Sequence, residues 1–446
     1  MFAPSGHLLC LGAQEYRRVL TVGASITTIS DTGTTATVTT GSTHGLVVGD
    51  WVIFSGQAPA VYQGEFQVRT VPSTTTFSYV MPYGPGSVAT TTGTYQKIDY
   101  NTGAYDGLLI RWANVNPDIG PQPEEWKPEI TNSAGFLRVQ QGSSIITGFI
   151  TRQEVLIFTD IALTTLQFTG TTEVFAQNEI STSINIMGSK VVAEANNVVF
   201  WMGNDKFFVY DGRVNTLPCT LKQYVFEDIN KAQGGDFRSG INSEFNEVVW
   251  FYVSAASTII DRYVIYNYEE NIWYYGSLNR TTWVDSGTIP FPLATSNGYV
   301  YRHEDGNNDG QPLGAAPLAI ESFIESADMG IDEGDFFVLT KRVIPDVNFT
   351  NSETVEPVTG TALTPEVQVT VGVRNFPGAS LSTSDVGGNT LTRDVITTAT
   401  IDQYTNQVFV RARGRQMTFK IASDDIGVQW QLGMARVDFK PDGRRG

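Results

Sequence analysis

The sequence predicts an all-β protein: a β-propeller with an inserted small β-module and a C-terminal β-sandwich-like layer. Three observations lead there. Only 17% of the residues are charged, against about 25% in an ordinary soluble protein, while aromatics reach 11% and glycine occurs 43 times in 446 residues. Such a chain has bulk for buried strands and glycine for many turns. Next, apolar strand-like runs recur. Val155-Leu156-Ile157-Phe158, Val198-Val199-Phe200-Trp201, Val248-Val249-Trp250-Phe251 and Tyr299-Val300-Tyr301-Arg302 start 43, 50 and 51 positions apart, the spacing of propeller blades. Finally, toward the C-terminus the runs alternate with period two, as half-buried strands do.

In chain order, residues 1–24 supply the first propeller strand or strands. Leu8-Leu9-Cys10-Leu11-Gly12 reads as a short buried strand ending in a turn. Residues 25–97 are Thr/Ser/Gly-rich and nearly free of Lys and Arg. The runs at 37–39, 51–54, 65–68 and 76–80, separated by Gly45, Gly49, Gly56 and Gly64, predict a small β-barrel-like module. Residues 98–345 hold the blades, resuming at Leu108-Leu109-Ile110-Arg111-Trp112. Second strands with acidic or polar turns follow two of the repeats, at Phe207–Gly212 and Tyr263–Tyr268. Blades buried on both faces by their neighbours demand bulky aromatics and few charges. One helix is predicted over Thr220–Lys231, with Leu221, Val225, Phe226 and Ile229 on one face and Pro218 ahead of it. Residues 346–446 form a C-terminal β-rich domain. A Thr/Glu/Pro-rich loop over Asn348–Pro365 precedes strands at 367–371, 407–413, 417–421 and 435–440. Arg411, Arg413, Arg415, Lys420, Arg436, Lys440, Arg444 and Arg445 give this end a positive surface on a chain of net charge −17.

Composition also excludes. Disorder needs high charge and few aromatics, and coiled coils or helical repeats are rich in Ala, Glu, Lys and Leu. The acidic balance argues against tight phosphate-backbone binding. No apolar stretch approaches a transmembrane span of about 18 residues, and the first residues lack the n- and h-regions of a secretory signal. Cys10 and Cys219 are too few for a disulfide framework and read as free thiols.

Chemistry is sparse. His7, His44 and His303 fit no metal or catalytic spacing and read as turn or surface residues. No nucleophile elbow or phosphate-binding glycine loop is present. A glycosidase would need paired carboxylates. Glu247, Asp261, Glu269, Glu270, Glu304 and Asp305 are candidates, but they read as solvated turn residues. Asp305-Gly306-Asn307-Asn308-Asp309-Gly310 matches the opening of a calcium loop, yet Ala316 stands where its bidentate Glu belongs, so a polar turn is the favoured reading. Trp250-Phe251-Tyr252 and Trp273-Tyr274-Tyr275 could stack sugars, though alternation favours core packing. No catalytic, cofactor-binding or metal-ligating residue is nominated.

The stretch Val198–Gly203, Phe207–Arg213 and Leu217-Pro218-Cys219 resembles the tail nozzle (tail hub, or tail tubular B-type) proteins of short-tailed bacteriophages. So do Phe245–Tyr252, Asp261–Tyr268, Trp273–Gly276, Gln403–Gln407, Arg413–Met417 and Lys440–Arg445, so that the resemblance spans roughly residues 105–445. The module, with His44-Gly45-Leu46, Gly49-Asp50 and Tyr62–Phe66, is similar to small β-modules of phage structural proteins. The resemblance implies a non-enzymatic virion protein, a hexameric ring of propellers at the distal end of a short tail. That ring would contact the tail adaptor and the fibres or spikes, and conduct double-stranded DNA. An acidic lumen would let DNA slide without sticking, and the basic C-terminal strands would face an acidic neighbour. Family members usually carry more chain ahead of Gly6-His7-Leu8-Leu9; if this start is authentic, the resemblance implies that the N-terminal blades are absent or supplied elsewhere. A gate would be sought around 304–316 and 378–394. The competing readings are a receptor-binding or fibre-attachment tail protein, favoured by the Thr/Gly-rich module, and a propeller enzyme degrading polysaccharide.

Overall fold

A computed structural model describes the chain except residues 22, 87, 88, 91, 116–122, 172, 310–315, 331–335, 357, 358, 375–393 and 445–446. The protein is all-β, with 53% strand and 4% helix among the described residues. It divides into two compact units: Met1–Ile241 with Phe245–Asn279, and Asn242–Glu244 with Arg280–Gly446.

The first unit opens with β1 (His7–Leu20), β2 (Ala24–Thr32), β3 (Thr35–Thr40), β4 (Trp51–Ser55), β5 (Gly64–Gln67), β6 (Thr70–Ser73), β7 (Thr76–Val80), β8 (Thr94–Val115) and β9 (Gly135–Arg138). They form a nine-stranded sheet ordered β5-β4-β8-β2-β3-β7-β6, with β1 and β9 also on β8. Gly12 does not end β1. Its φ of +65° coincides with a bulge in the pairing to β8, where a Cβ would meet the Tyr105 hydroxyl at 2.6 Å. The strand therefore runs past the predicted turn. Residues 26–95 share one core of Val38, Phe54, Tyr62, Phe77 and Tyr79, with Phe54 and Tyr79 rings 4.5 Å apart. Among the described residues this module is an open sheet and not a closed barrel. Its end strands β5 and β6 follow one another through Val68 and Arg69, whose N–H groups go to the carbonyls of Asp50 and Ser78.

Three four-stranded antiparallel meanders come next. The first is β10 (Ile145–Ile150), β11 (Val155–Thr159), β12 (Leu163–Phe168) and β13 (Phe175–Ser181). The second is β14 (Val192–Ala195), β15 (Val198–Met202), β16 (Phe207–Tyr210) and β17 (Val214–Leu217). The third is β18 (Arg238–Asn242), β19 (Glu247–Tyr252), β20 (Arg262–Asn267) and β21 (Ile272–Gly276). The apolar repeats at 155, 198 and 248 are the second strand of each meander. Every residue of β11 is buried, as are all but the first of β15 and β19. Successive meanders pack face on face: Phe158 meets Trp201 edge-on at 5.2 Å, Phe207 lies 4.8 Å from Trp250, and the Trp250 indole N–H donates to the Val191 carbonyl (3.0 Å). Asn196 and Asn197, both with positive φ, make the two-residue turn between β14 and β15.

The predicted helix is shorter than its periodicity. α1 covers only Lys222–Glu227. Beyond it the Asp228 carbonyl accepts from Ala255 N–H, Ile229 bridges Ser254, and Asn230 N–H donates to Val253, so tertiary pairing draws the backbone out of the helix.

The second unit begins with β22 (Thr282–Val284), β23 (Leu293–Ser296) and β24 (Tyr299–Arg302), a three-stranded sheet. The fourth repeat, at Tyr299, is thus a third strand, and its Tyr299 and Val300 are exposed where its counterparts are buried. A small pair, β25 (Asn308–Asp309) and β26 (Leu318–Ala319), precedes a sandwich. One layer is ordered β27 (Ser322–Glu325), β33 (Gln416–Ser423), β30 (Glu366–Arg374), β31 (Asp394–Asp402). The other is β32 (Val408–Gly414), β28 (Phe336–Ile344), β35 (Arg436–Arg444), with β29 (Val347–Asn348) paired to β34 (Gln431–Leu432) beside them. Val367, Val369, Val371, Val410, Ala412 and Ile421 from both layers share a core. The layers take in β27 and β28, which precede residue 346.

Candidate functional site

The functional surface that the sequence singled out lies in this sandwich. β32 alternates without a fault: Val408, Val410 and Ala412 are buried, while Phe409, Arg411 and Arg413 are exposed. Across the sheet, Leu339 sits opposite both Arg413 and Lys440, and Arg342 opposite both Phe409 and Asp438. The outer face is therefore a grid of cations broken by two carboxylates and two aromatic rings. Arg413 and Arg415 roof Phe337, with guanidinium carbons 4.2 and 5.5 Å from the ring, so this outward phenyl is 7% exposed. Arg342 pairs with Asp438 at 3.3 Å and Arg413 with Asp442. Such solvated pairs contribute little stability, about 0–1 kcal/mol each. Arg411, Arg436 and Lys440 remain exposed at the surface.

The eight predicted basic residues do not share one surface. Lys420 lies on β33 in the other layer, its ammonium 4.6 Å from the Phe323 ring centroid. Arg444 pairs in register with Phe336 at the end of β35, and Arg445 lies outside the described residues. Arg374, which the pattern did not single out, is the better-shielded base, held 3.0 Å from Asp328.

The carboxylate candidates are dispersed. Asp261 accepts from the Ser254 N–H and hydroxyl (2.8 and 2.7 Å), Glu269 from the Asn246 amide (2.6 Å), Glu304 from the Asn242 amide (3.1 Å), and Asp305 pairs with Arg302 (2.9 Å). Glu247 opposes Asn267 on β19, and the Glu270 N–H donates to Asn267. In the calcium-like loop the side chains are engaged elsewhere. The Asn307 amide donates to the Asn351 carbonyl, the Asn308 amide to Glu353, and Asn308 Oδ1 accepts from the Gly427 N–H. Asn308–Asp309 is strand, paired with Leu318–Ala319. Gly310 and most of the two gate stretches lie outside the described residues. Among the described residues no group of three or more metal-ligating side chains converges.

Two histidines correct the surface reading. His7 is fully buried, its ring nitrogens at the Ser5 and Ser133 hydroxyls (2.9 and 3.1 Å) and its face against Phe168 and Phe175. His303 accepts at Nε2 from Arg280 Nε–H (2.9 Å) and packs on Trp283, and Arg280 in turn lies 4.0 Å over the Tyr301 ring. Burial and then the Arg280 charge push the His303 imidazole down to about 4. A lone histidine carries no local signal of such a partner. His44 is the turn residue expected, accepting from the Leu46 N–H at Nδ1. Of the aromatic strings, Trp250, Phe251 and Tyr252 are buried core, whereas Trp273, Tyr274 and Tyr275 are half-buried, Trp273 stacking on Trp250 at 6.0 Å while donating to the Pro218 carbonyl (2.9 Å). Cys10 and Cys219 are both free, and burial pushes the Cys219 thiol up to about 11.

One cleft was missed. Arg152, Glu194, Asn196 and Asn197 line an open polar hollow of about 500 Å³. Burial raises the Glu194 carboxyl, an effect that Arg152 opposes. Nearby in sequence to Arg152, Glu154 accepts from the buried Tyr210 hydroxyl (2.8 Å). The Asn-Asn turn was the only local signal for this hollow.

No family model and no curated protein matches the chain. Among solved structures it is similar to a phage phi92 endosialidase, at 14% identity and TM-score 0.22 over 70% of this chain and 56% of that one. It is also similar to the S. cerevisiae core factor, at 8% identity and TM-score 0.29 over 93% of this chain and 62% of that one. The chain spans little more than half the length of the endosialidase, and likenesses this slight assign no function. No described helix is long and apolar enough to cross a membrane.

Proposed function

We propose that the chain is a non-enzymatic structural subunit of a short phage tail, a nozzle subunit assembled in a six-fold ring with double-stranded DNA passing along its axis. The observation that carries the reading is the run of three four-stranded meanders packed face on face, which holds the resembling stretches Val198–Gly203, Phe207–Arg213, Phe245–Tyr252 and Asp261–Tyr268. Further sheets of this kind would close each subunit into a propeller. A net charge of −17 suits a passage that must not hold phosphates. The grid of Arg411, Arg413, Arg436 and Lys440 suits a protein face, because Asp438 and Asp442 within it would repel a phosphate backbone. Native mass spectrometry and negative-stain imaging of the full chain test the reading. A six-fold ring with an open axis is expected, and a stable monomer or a three-fold spike at micromolar concentration overturns it.

A receptor-binding or fibre-attachment role has one observation in its favour. The module's loop tip exposes Val47 and Val48, at 62 and 64%. Loss of particle adsorption with intact assembly on V47D/V48D would favour that reading.

A further inference from the structure

Among the described residues the C-terminal sandwich has two outer strands of opposite charge at its edges. β27 is the outer strand of the four-stranded layer and β35 the outer strand of the three-stranded one; among the described residues neither has a partner on its other side. On β27 the core side carries Ser322, whose hydroxyl accepts from the Trp430 indole (2.9 Å), and Ile324, opposite buried Ile421. The outer side carries Phe323 and Glu325, both on the side of Lys420, and by the same alternation Glu321 just ahead of the strand. Phe323 and Ile324 are each 49% exposed, an apolar load that a solvated edge strand avoids. On β35 the core side carries Val437 and Phe439, and the outer side carries Arg436, Asp438 and Lys440.

We infer that β27 of one copy adds antiparallel to β35 of a second copy, so that sheets of neighbouring subunits join. One register satisfies both strands. It places Glu321 opposite Lys440, Phe323 opposite Asp438 and Glu325 opposite Arg436 on the outer side. On the core side it places Ser322 opposite Phe439 and Ile324 opposite Val437. A one-residue slip sends Ile324 to the outer side. A two-residue slip in one direction opposes Glu325 to Asp438 and Glu321 to Asp442, and in the other opposes Glu321 to Asp438. Like charges directly opposite are unfavourable, so the charge pattern selects the register as well as the partner. Pro441, which lacks an N–H, ends the ladder next to Lys440. The contact is heterologous, using a different edge on each copy, and heterologous contacts generate rings when the rotation closes. It rests on the self-assembly proposed above but not on DNA passage.

The test compares the assembled mass of the full chain with E321K/E325K, R436E/K440E and the variant carrying all four changes, each checked for an unchanged melting temperature. Each double reversal is expected to weaken assembly about ten-fold or more, and the fourfold variant to regain it. A wild-type ring that neither reversal weakens, or a fourfold variant that stays apart, overturns the contact and leaves the ring standing. A wild-type monomer overturns both. As a second readout, I324C/V437C in a C10S/C219S background should form intermolecular disulfides under mild oxidation. Assembled protein that stays uncross-linked overturns the register.

Discussion

The second strands of the meanders and strand β32 are both rich in valine and aromatics, yet they are built for opposite situations. β11, β15 and β19 are apolar nearly end to end because the side chains on both sides of each strand are buried. β32 alternates because, among the described residues, a layer lies over one of its faces and not the other. The difference teaches where recognition can reside. A strand covered twice has no residue left over for a partner. A strand covered once presents every second residue, and here those residues are Phe409, Arg411 and Arg413.

The comparison predicts a graded response to substitution. The largest effect belongs to Trp250 on β19, which is fully buried, contacts Phe207 and Trp273, and donates to Val191. Trp250→Ala should cost about 3–5 kcal/mol in urea denaturation; a loss below 1 kcal/mol would mean that the meanders are not packed face on face.

Next comes a pH effect from His303, a half-buried group held by Arg280 and packed on Trp283. Its folded-state value of about 4 lies below the ordinary imidazole value of 6.5, so the unfolded chain binds the extra proton between them. Stability from the neutral imidazole is present above pH 6.5 and is lost as pH falls toward 4, by up to about 3 kcal/mol. His303→Gln should flatten that part of the stability–pH curve; an unchanged slope would place the titration elsewhere.

A middle-sized effect separates the two sides of β32. Val410→Ala should cost about 1.5–2.5 kcal/mol, whereas Phe409→Ala, on the open side, should change the isolated chain's stability by less than about 0.5 kcal/mol. Equal losses for the pair, measured by thermal melting, would show that the outer face is already covered in the single chain. The smallest effect is that of Arg411→Glu on folding, again below about 0.5 kcal/mol, while assembly with an acidic partner should weaken measurably and most strongly at low salt.

Much of the fold could be read from short-range pattern alone. The all-β class, the second strands of three meanders and the alternation of β32 follow from periods of two and from runs without charge, which local backbone geometry imposes on any sequence. The tertiary structure decided whatever depends on a partner distant in the chain. α1 stops at Glu227 because Asp228, Ile229 and Asn230 pair with the 253–255 backbone. β1 passes Gly12 because β8 offers a bulged register. His303 is neutral because Arg280 and Trp283 enclose it, and the calcium-like loop is a connector because Asn351, Glu353 and Gly427 engage its side chains. The basic residues, one group in the sequence, fall on two layers because strand order, not sequence order, sets which side chains share a face. A sequence by itself carries the period of each strand, whereas coverage of one face or two is a property of neighbours that only long-range packing brings into place.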